Sequence, residues 1–233
     1  MADETYYALP QVRYTEPSAK FVDAFLCLPE KKGNYWDGDE KALALVKKEI
    51  KEHYLRVQDY RCAYCRQRME VKHNGMWDTE HIVNKDEYPA FMFEPRNLCI
   101  SCKDCNTIKG RKGVLKNKDR KTYPNLASDY TFCHPHYHNY SHHVRVVKEA
   151  MLYLPITDEG REMIEICGLL RFVYKFAGYG CVESNVPAVL IRLGHELQEA
   201  KTSHEQLALM TIVQNLMSDN IKKVAGELIK QYA

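Results

Sequence analysis

Two pairs of cysteines have the spacing of metal ligands. Cys62 and Cys65 are separated by two residues, as are Cys102 and Cys105. Two such knuckles can together close one tetrahedral Zn²⁺ site, in which the deprotonated thiolates are the ligands. Because protein would fill all four coordination positions, no position would remain for water, and this zinc would be structural. The alternative is two unrelated cysteine pairs.

The remaining cysteines and the N-terminus indicate the compartment. The chain of 233 residues has nine cysteines, and an odd count without a secretion signal argues against a disulfide framework. The N-terminal sequence lacks the basic and then apolar pattern of a signal peptide, and no apolar run is long enough to span a membrane. We therefore expect a cytoplasmic protein without membrane contact. We expect five cysteines to be small buried apolar residues: Cys27, Cys99, Cys133, Cys167 and Cys181.

An acid, a histidine and two asparagines lie between and directly after the knuckles. Glu80 precedes His81, and Asn97 and Asn106 follow. A neutral histidine can take a proton from water near pH 7, and carboxylate and amide oxygens suit Mg²⁺ or Mn²⁺, which can stabilise charge on a phosphate. On a regular strand Glu80 and His81 would face opposite sides, so both reach one phosphate only if the strand twists or ends there. Asp78 would share the face of Glu80 and add charge near the metal, or it is a surface acid.

The order of these residues resembles a known family. From Cys62 to Gly110 the chain contains, in order, CAYC, EHIV, RNLCISCKDCN and TIKG. This order is similar to that of the His-Asn-His (HNH) nucleases, in their zinc-bearing form with four cysteine ligands. A weaker similarity to the sequence that follows the motif in some bacterial HNH proteins extends into CHPHYHNYSHHV and EGREMIEICGLLRF.

The resemblance implies a ββα-metal fold, in which two short strands and a helix hold one divalent ion against the scissile phosphate. By position, His81 matches the general base that activates water, and Glu80 and Asn106 match ligands of the ion. Asn97 matches the middle asparagine, which holds the loop between the strands and helps to orient the histidine. Asn106 stands where the family name has a histidine, and an amide with a carboxylate favours Mg²⁺ or Mn²⁺ over zinc as the catalytic ion.

Positive charge is concentrated around and after the second knuckle. Residues 101–125 contain eight lysines and arginines and two aspartates, a net charge of +6; the whole chain carries +2, so the rest carries −4. This pattern favours a polyanion such as DNA as the partner, and RNA stays open because a phosphate-binding site does not exclude the 2′-hydroxyl. A solvated loop is the alternative. The candidate phosphate contacts are Lys85, Lys109, Arg111 and Lys112.

Hydrophobic spacing predicts an α+β chain that is mostly helical. A short helix is expected from Ser18 to Leu28, and a clear amphipathic helix runs through DGDEKALALVKKEIKEHYLRVQDY. The apolar residues of the second helix recur at roughly helical spacing: Leu43, Leu45, Val46, Ile50, Tyr54 and Val57.

The C-terminal third is predicted to be helical. Ser203 and Gln206 form a candidate capping box for one helix, and a last helix is expected from about Asp219 to Tyr232. The predicted domains are an N-terminal arm with the amphipathic helix (1–58), an HNH core with the four-cysteine zinc and the basic, histidine-rich segment (59–150), and a C-terminal helical region (151–233).

Five histidines lie between these regions: His134, His136, His138, His142 and His143. The first three alternate, so a strand would place their imidazoles on one side, as a second metal site requires. No acidic residue lies among them, however, and a packed turn is the alternative.

These patterns predict a metal-dependent HNH endonuclease that hydrolyses DNA, with a structural Zn²⁺ and a catalytic Mg²⁺ or Mn²⁺. We expect an effector of bacterial anti-phage defence or restriction. The alternative is a non-catalytic, zinc-stabilised module that binds nucleic acid or docks a partner. The N-terminal arm and the C-terminal helices could bind a sensor protein such as an ATPase or form a homo-oligomer.

Overall fold

The computed structural model describes residues 9–69, 74–147, 152–172 and 186–232. Within these residues it contains helices and two separate two-stranded sheets, which confirms the α+β prediction. The chain divides into two compact units, which we describe separately. The first comprises residues 1–144 and 156–169, and the second comprises residues 145–155 and 170–233.

Two helices begin the first unit: α1 spans Glu16–Leu26 and α2 spans Lys41–Val57. Five buried residues of α2 recur at helical spacing and form its inner face: Leu43, Val46, Ile50, Tyr54 and Leu55. The expectation that Leu45 shares this face is wrong, because its side chain is exposed. Each residue turns the helix by about 100°, which rotates Leu45 away from Val46.

A two-stranded antiparallel ribbon lies at the centre of the first unit. It pairs β1 (Trp77–His81) with β2 (Leu98–Cys102), and α3 (Lys103–Lys109) begins directly after β2. The buried side chain of Gln58, just after α2, accepts a hydrogen bond from the Ile100 N–H (2.7 Å) and donates one to the Ile100 carbonyl (2.8 Å). The end of α2 is thereby fixed to the middle of β2.

The histidine-rich segment packs by hydrogen bonding. The His136 ring nitrogens lie 3.1 Å from the Leu9 carbonyl oxygen and 2.8 Å from that of Leu98. The Nε2 atom of His134 lies 3.0 Å from the Tyr123 hydroxyl. Burial lowers the pKa of both histidines, and at His136 the Leu98 and Leu9 carbonyls oppose that shift. Among the described residues, only the four knuckle cysteines form a group of three or more histidine, cysteine or acidic ligands that could hold an ion. The structure therefore favours the packed turn.

The second unit contains β3 (Val144–Val147), apart from its first residue, paired with β4 (Leu152–Pro155). Two of its helices are α6 (Val186–Glu199) and α7 (Ser203–Tyr232). Its core is apolar: Val147, Leu152, Leu154, Leu193, Leu209 and Ile212. The prediction of two helices beyond residue 203 is wrong, because α7 is continuous over 30 residues. No proline interrupts this stretch.

None of the helices in the described residues combines the length and apolar character that crossing a membrane requires.

Helix α7 begins with a capping box one residue earlier than predicted. The Thr202 hydroxyl accepts a hydrogen bond from the Glu205 N–H (3.2 Å), and the Glu205 carboxylate accepts one from the Thr202 N–H (3.0 Å). The expected pair of Ser203 and Gln206 is therefore wrong. Both pairs fit the sequence pattern, but a carboxylate accepts a backbone hydrogen bond more strongly than an amide oxygen does.

Helix α5 (Asp158–Ile166) packs closely against the end of α4 (Tyr140–His143). The hydroxyl of Thr157 accepts a hydrogen bond from the Gly160 N–H at the start of α5 (3.2 Å). A Cβ atom on Gly160 would overlap the carbonyl oxygen of His143. The close approach of the two helices therefore requires glycine at this position.

We predict that Gly160→Ala lowers the free energy of unfolding by about 1–3 kcal/mol, because the added methyl group forces the two helices apart. The control is Gly113→Ala, since a Cβ atom there meets nothing within 4 Å, and its effect should stay within about 0.5 kcal/mol. Urea unfolding of both variants measures the difference. Equal urea midpoints for Gly160→Ala and wild type would show that the contact between residue 160 and the His143 carbonyl does not require glycine.

Candidate active site and metal centre

The four knuckle cysteines meet in a buried cluster, as predicted. Their Sγ atoms all lie within 4.8 Å of one another, and Sγ of Cys65 lies 3.9 Å from Sγ of Cys102. A tetrahedral zinc with Zn–S bonds of about 2.3 Å requires sulfurs roughly 3.8 Å apart. The cluster therefore has the size and the donor atoms to hold a zinc ion.

Backbone hydrogen bonds hold the two knuckles together. The Cys102 N–H donates to Sγ of Cys62 (3.3 Å), and the Ala63 N–H donates to the Ile100 carbonyl (3.0 Å). Hydrogen bonds from the Cys105 and Cys62 thiols lower the pKa of Cys102, so the cluster stabilises a thiolate at that position. Cys102 is the last residue of β2 and the N-cap of α3, which places Cys105 in the first turn of the helix.

A cleft of about 1130 Å³ opens beside the ribbon, with residues from α2 and β1 and the region around α3 in its walls. Five predicted site residues line it: Glu80, His81, Lys85, Asn106 and Arg111. Asp78 and a set of basic residues from α2 line it as well. All of these residues belong to the first unit.

Glu80 is buried in this wall and forms an ion pair. Its Oε1 atom lies 2.5 Å from Nζ of Lys109 and accepts a hydrogen bond from the Tyr64 hydroxyl (3.1 Å). Burial raises the pKa of Glu80, and the nearby charge of Lys109 opposes that rise. Lys109, a predicted phosphate contact, is 1% exposed and also donates to the His81 carbonyl (3.2 Å). It therefore positions the end of β1 from inside the protein.

The imidazole of His81 has one nitrogen tied to the backbone. Nε2 lies 3.1 Å from the Met92 carbonyl oxygen, which can only accept, so Nε2 carries the proton and Nδ1 keeps its lone pair. Burial, followed by the charges of Lys85 and Lys109, lowers the pKa of His81 to about 3. The ring is therefore neutral at pH 7.

Glu80 and His81 have different neighbours, as adjacent strand residues should. The carboxylate of Glu80 faces Lys109 and Tyr64, whereas the ring of His81 packs edge-on against Trp36 at 4.5 Å. Both nevertheless border the same cleft, since His81 is the last residue of β1.

Asn97 is completely buried and joins both sides of the loop between the strands. Its Oδ1 atom accepts a hydrogen bond from the Val83 N–H (2.7 Å). Its Nδ2 atom donates to the carbonyls of Val83 (3.1 Å) and Phe91 (2.9 Å). The side chain thus replaces backbone pairing just beyond the end of the ribbon.

Asn106 contacts Asp78 rather than Glu80. Its Nδ2 atom donates to Oδ2 of Asp78 (3.0 Å), which leaves the amide oxygen of Asn106 available as an acceptor. Asp78 was the weaker candidate from the sequence, although its position two residues before Glu80 was the signal that could have identified it. Both side chains are partly exposed and border the cleft.

The remaining predicted phosphate contacts differ in exposure. Lys85 donates to the Gly33 carbonyl (3.0 Å) and lies 3.2 Å from Asp86, so it is largely engaged within the protein. Lys112 donates to the Ile166 carbonyl (3.0 Å). The side chain of Arg111 is 81% exposed, although it pairs with Asp86 at 3.0 Å. Arg111 and Lys112 are therefore exposed, whereas Lys109 is buried, and of the two exposed residues only Arg111 lines the cleft.

The sequence analysis also missed basic residues of α2 that line the cleft. Lys47, Lys48, Lys51 and Arg56 of α2 line the cleft, far in sequence from the basic segment 101–125. Their helical spacing within KALALVKKEIKEHYLRV was the available signal.

Similarity to known proteins is limited to part of the chain. Over 88 residues, 36% of its length, the chain is 33% identical to Septu protein PtuB of Bacillus thuringiensis, and it is a distant homologue of that protein. The match covers 34% of PtuB, so the chain spans about a third of the length of the curated relative it matches. No protein-family model matches the chain. No solved structure matches it.

We predict one zinc ion per chain in protein purified without chelator. Cys105→Ala should remove the zinc and unfold the first unit, because the metal–thiolate bonds contribute directly to folding. Cys27→Ser is the control, since Cys27 lies outside the cluster and, contrary to the expectation of burial, is exposed just after α1. The expected burial is confirmed for Cys99, Cys133 and Cys167, and Cys181 lies outside the described residues. Mass-spectrometric metal analysis with circular dichroism measures both effects. Full zinc content in Cys105→Ala would contradict the four-cysteine site.

We predict that Lys109→Met lowers the free energy of unfolding by about 3–5 kcal/mol, because it leaves the buried Glu80 carboxylate without its cation. Lys103→Met, an exposed position on the same helix, is the charge-matched control. Adding Glu80→Gln to Lys109→Met should recover at least about 1 kcal/mol. Urea unfolding of wild type, Lys109→Met, Glu80→Gln and the double variant completes the cycle, and additive effects of the two substitutions would disprove the coupling.

Proposed function

We propose that this protein is a metal-dependent endonuclease of the HNH type that hydrolyses DNA phosphodiester bonds. The observation that carries the proposal is an antiparallel ribbon followed directly by α3. Asp78 and His81 of the ribbon and Asn106 of α3 border one cleft. The order of motifs from Cys62 to Gly110, which resembles that of the HNH nucleases, supports the same function.

His81 is the proposed general base. Its Nε2–H bond to the Met92 carbonyl fixes the tautomer and leaves Nδ1 to take a proton from water. As that proton moves to Nδ1, the water oxygen forms a bond to phosphorus and the bond from phosphorus to the 3′ oxygen breaks. The products are a 5′ phosphate and a 3′ hydroxyl, as the resemblance implies. Asn97 would position His81 indirectly, by holding the loop that supplies the Met92 carbonyl.

The oxygen donors near His81 fit a hard divalent cation. The resemblance assigns Glu80 and Asn106 as ligands, and the contact between Asn106 and Asp78 adds a second carboxylate at the same place. A bound Mg²⁺ or Mn²⁺ would stabilise negative charge on the phosphate. The Glu80 carboxylate must leave Lys109 before it can bind an ion, whereas Asp78 is already partly exposed at the cleft.

A second candidate function is a zinc-stabilised module that binds nucleic acid or a partner protein without cleaving. The ion pair between Glu80 and Lys109 favours it, since that pair occupies one of the carboxylates the nuclease would need. The same observation is compatible with an effector that a sensor protein such as an ATPase activates.

We propose a place in anti-phage defence for this activity. The resemblance to HNH proteins that accompany bacterial defence systems supports this role, as does the partial similarity to Septu protein PtuB, a defence-system protein. Phage plating on cells that express the chain with its neighbouring genes, wild type against His81→Ala, tests this role. Equal plating efficiencies would count against it.

The decisive experiment is plasmid cleavage with Mg²⁺ or Mn²⁺. Wild type should convert supercoiled plasmid to nicked and linear forms. His81→Ala should lower the rate by roughly 10²–10⁴-fold, because the water loses its proton acceptor. His142→Ala, an exposed histidine outside the cleft, is the matched control and should keep wild-type activity.

Two further variants separate the possible ligands. Asp78→Asn and Glu80→Gln should each be assayed across a Mg²⁺ titration, with zinc content as the folding control. Loss of activity in Asp78→Asn alone would assign the ion to Asp78 and Asn106. Absence of wild-type cleavage with either ion, in protein that holds zinc, would favour the non-cleaving module.

A further inference from the structure

Helix α2 presents basic side chains to the cleft in two rows. Lys47 and Lys51 are one turn apart in the first row, and Lys48 and Arg56 are two turns apart in the second. These residues belong to the N-terminal arm, outside the basic segment 101–125 that the sequence indicates as the polyanion contact. His81 lines the same cleft, and the Trp36 ring contacts both His81 (4.5 Å between ring centres) and the Lys47 amine (5.3 Å), so the rows border the region where a scissile phosphate would lie.

The rotation of α2 about its own axis is fixed by contacts on its other faces. The Tyr54 hydroxyl donates to the Pro95 carbonyl (2.6 Å) and accepts from the Val12 N–H (3.3 Å). On the cleft side, Nζ of Lys51 donates to the Trp77 carbonyl at the start of β1 (2.7 Å). With its apolar face buried and its C-terminal half bonded to the ribbon through Lys51 and Gln58, α2 holds its basic rows at the cleft.

The charges lining the cleft sum to a positive value. The lining contains six basic residues, four of them from α2, and four acidic residues. The acids are already engaged: Glu80 pairs with Lys109, Asp86 with Lys85 and Arg111, Glu52 with Lys48, and Asp78 accepts from Asn106. Within the described part of the chain, neither Lys47 nor Arg56 forms an ion pair; the Lys47 amine instead lies 5.3 Å from the Trp36 ring centre. The wall formed by α2 therefore keeps positive charge available for an anion.

The length of this wall suits a nucleic-acid strand. From Lys47 to Arg56 the helix rises about 14 Å at about 1.5 Å per residue. At about 3.4 Å per nucleotide along a duplex strand, that distance corresponds to roughly four nucleotides. The spacing of successive phosphates is thus compatible with several contacts along one helix.

We infer that α2 is the second wall of a DNA-binding cleft, in which Lys47, Lys48 and Arg56 contact the phosphate backbone beside the bond that His81 would attack. The inference rests on the proposed function, because it takes the strand in the cleft to be the substrate. It assigns backbone contacts only, which position DNA without reading its sequence.

The test is the salt dependence of binding to a fluorescein-labelled 30-base-pair duplex, measured by anisotropy in the His81→Ala background without added divalent ions. The triple variant Lys47→Gln, Lys48→Gln, Arg56→Gln should bind more weakly. It should also reduce the slope of log K against log salt by about 2–3, since each phosphate contact contributes about 0.9. Lys51 is left in place because it holds the Trp77 carbonyl.

Two variants with the same change of charge are the controls. One replaces Arg13, Lys20 and Lys32, exposed residues of the first unit away from the cleft, with glutamine; the other replaces Lys116, Lys118 and Lys121 of the basic segment. Both should keep a slope near that of the parent. The double variant Lys48→Gln, Arg56→Gln changes only exposed side chains of α2 and should reduce the slope by about 1–2 if the triple variant does not fold.

The inference would be overturned if the α2 variants kept the same slope of log K against log salt as the His81→Ala parent. It would also be overturned if either control variant reduced that slope as much as the α2 variants do. A parent that binds RNA but not the DNA duplex would overturn it as well. Failure of the nuclease proposal gives a different result, because binding is measured without catalysis. A wild type that cuts no plasmid but binds DNA through α2 would keep this surface and remove only the cleavage step.

Discussion

The candidate site depends on the junction at which β2 becomes α3. Cys102 ends the strand and Cys105 lies in the first turn of the helix, so both ligand positions of the second knuckle fall within the junction itself. A helix of seven residues is not stable alone. Because its two cysteines join those of the first knuckle in one cluster, the cluster can fix both the start and the direction of α3. The positions of Asn106 and Lys109 follow from that direction, and each reaches back to β1.

Burial then decides the charge states along β1. Glu80 and His81 are both buried, and burial opposes the charged form of each: it raises the pKa of the carboxylate and lowers that of the imidazole. The carboxylate has Lys109 as its counter-ion, while the imidazole has the Met92 carbonyl as its acceptor. Two adjacent residues can therefore differ in function, one holding the local structure by an ion pair and the other keeping a free lone pair.

The cleft combines segments that are far apart in the chain. One wall comes from the knuckle region and the other from α2, which Gln58 attaches to β2 through two hydrogen bonds to Ile100. Ala63 of the first knuckle also donates to the Ile100 carbonyl, so the cysteine cluster and the attachment of α2 both depend on the same residue of β2. Loss of the cysteine cluster would therefore also disturb the residues that line the cleft.

The sequence by itself determined what depends on local spacing. Paired C-x2-C knuckles predicted the cysteine cluster, and three- to four-residue spacing predicted α2, because ligand geometry and helical periodicity are set over a few residues. The local sequence could not decide between two candidate capping boxes for α7, Thr202 with Glu205 and Ser203 with Gln206. Only the tertiary structure decided that Lys109 is buried against Glu80, that Asn106 contacts Asp78, and that the lysines of α2 face the cleft. Those outcomes follow from packing between elements distant in sequence, where the cost of burying a charge selects its partner.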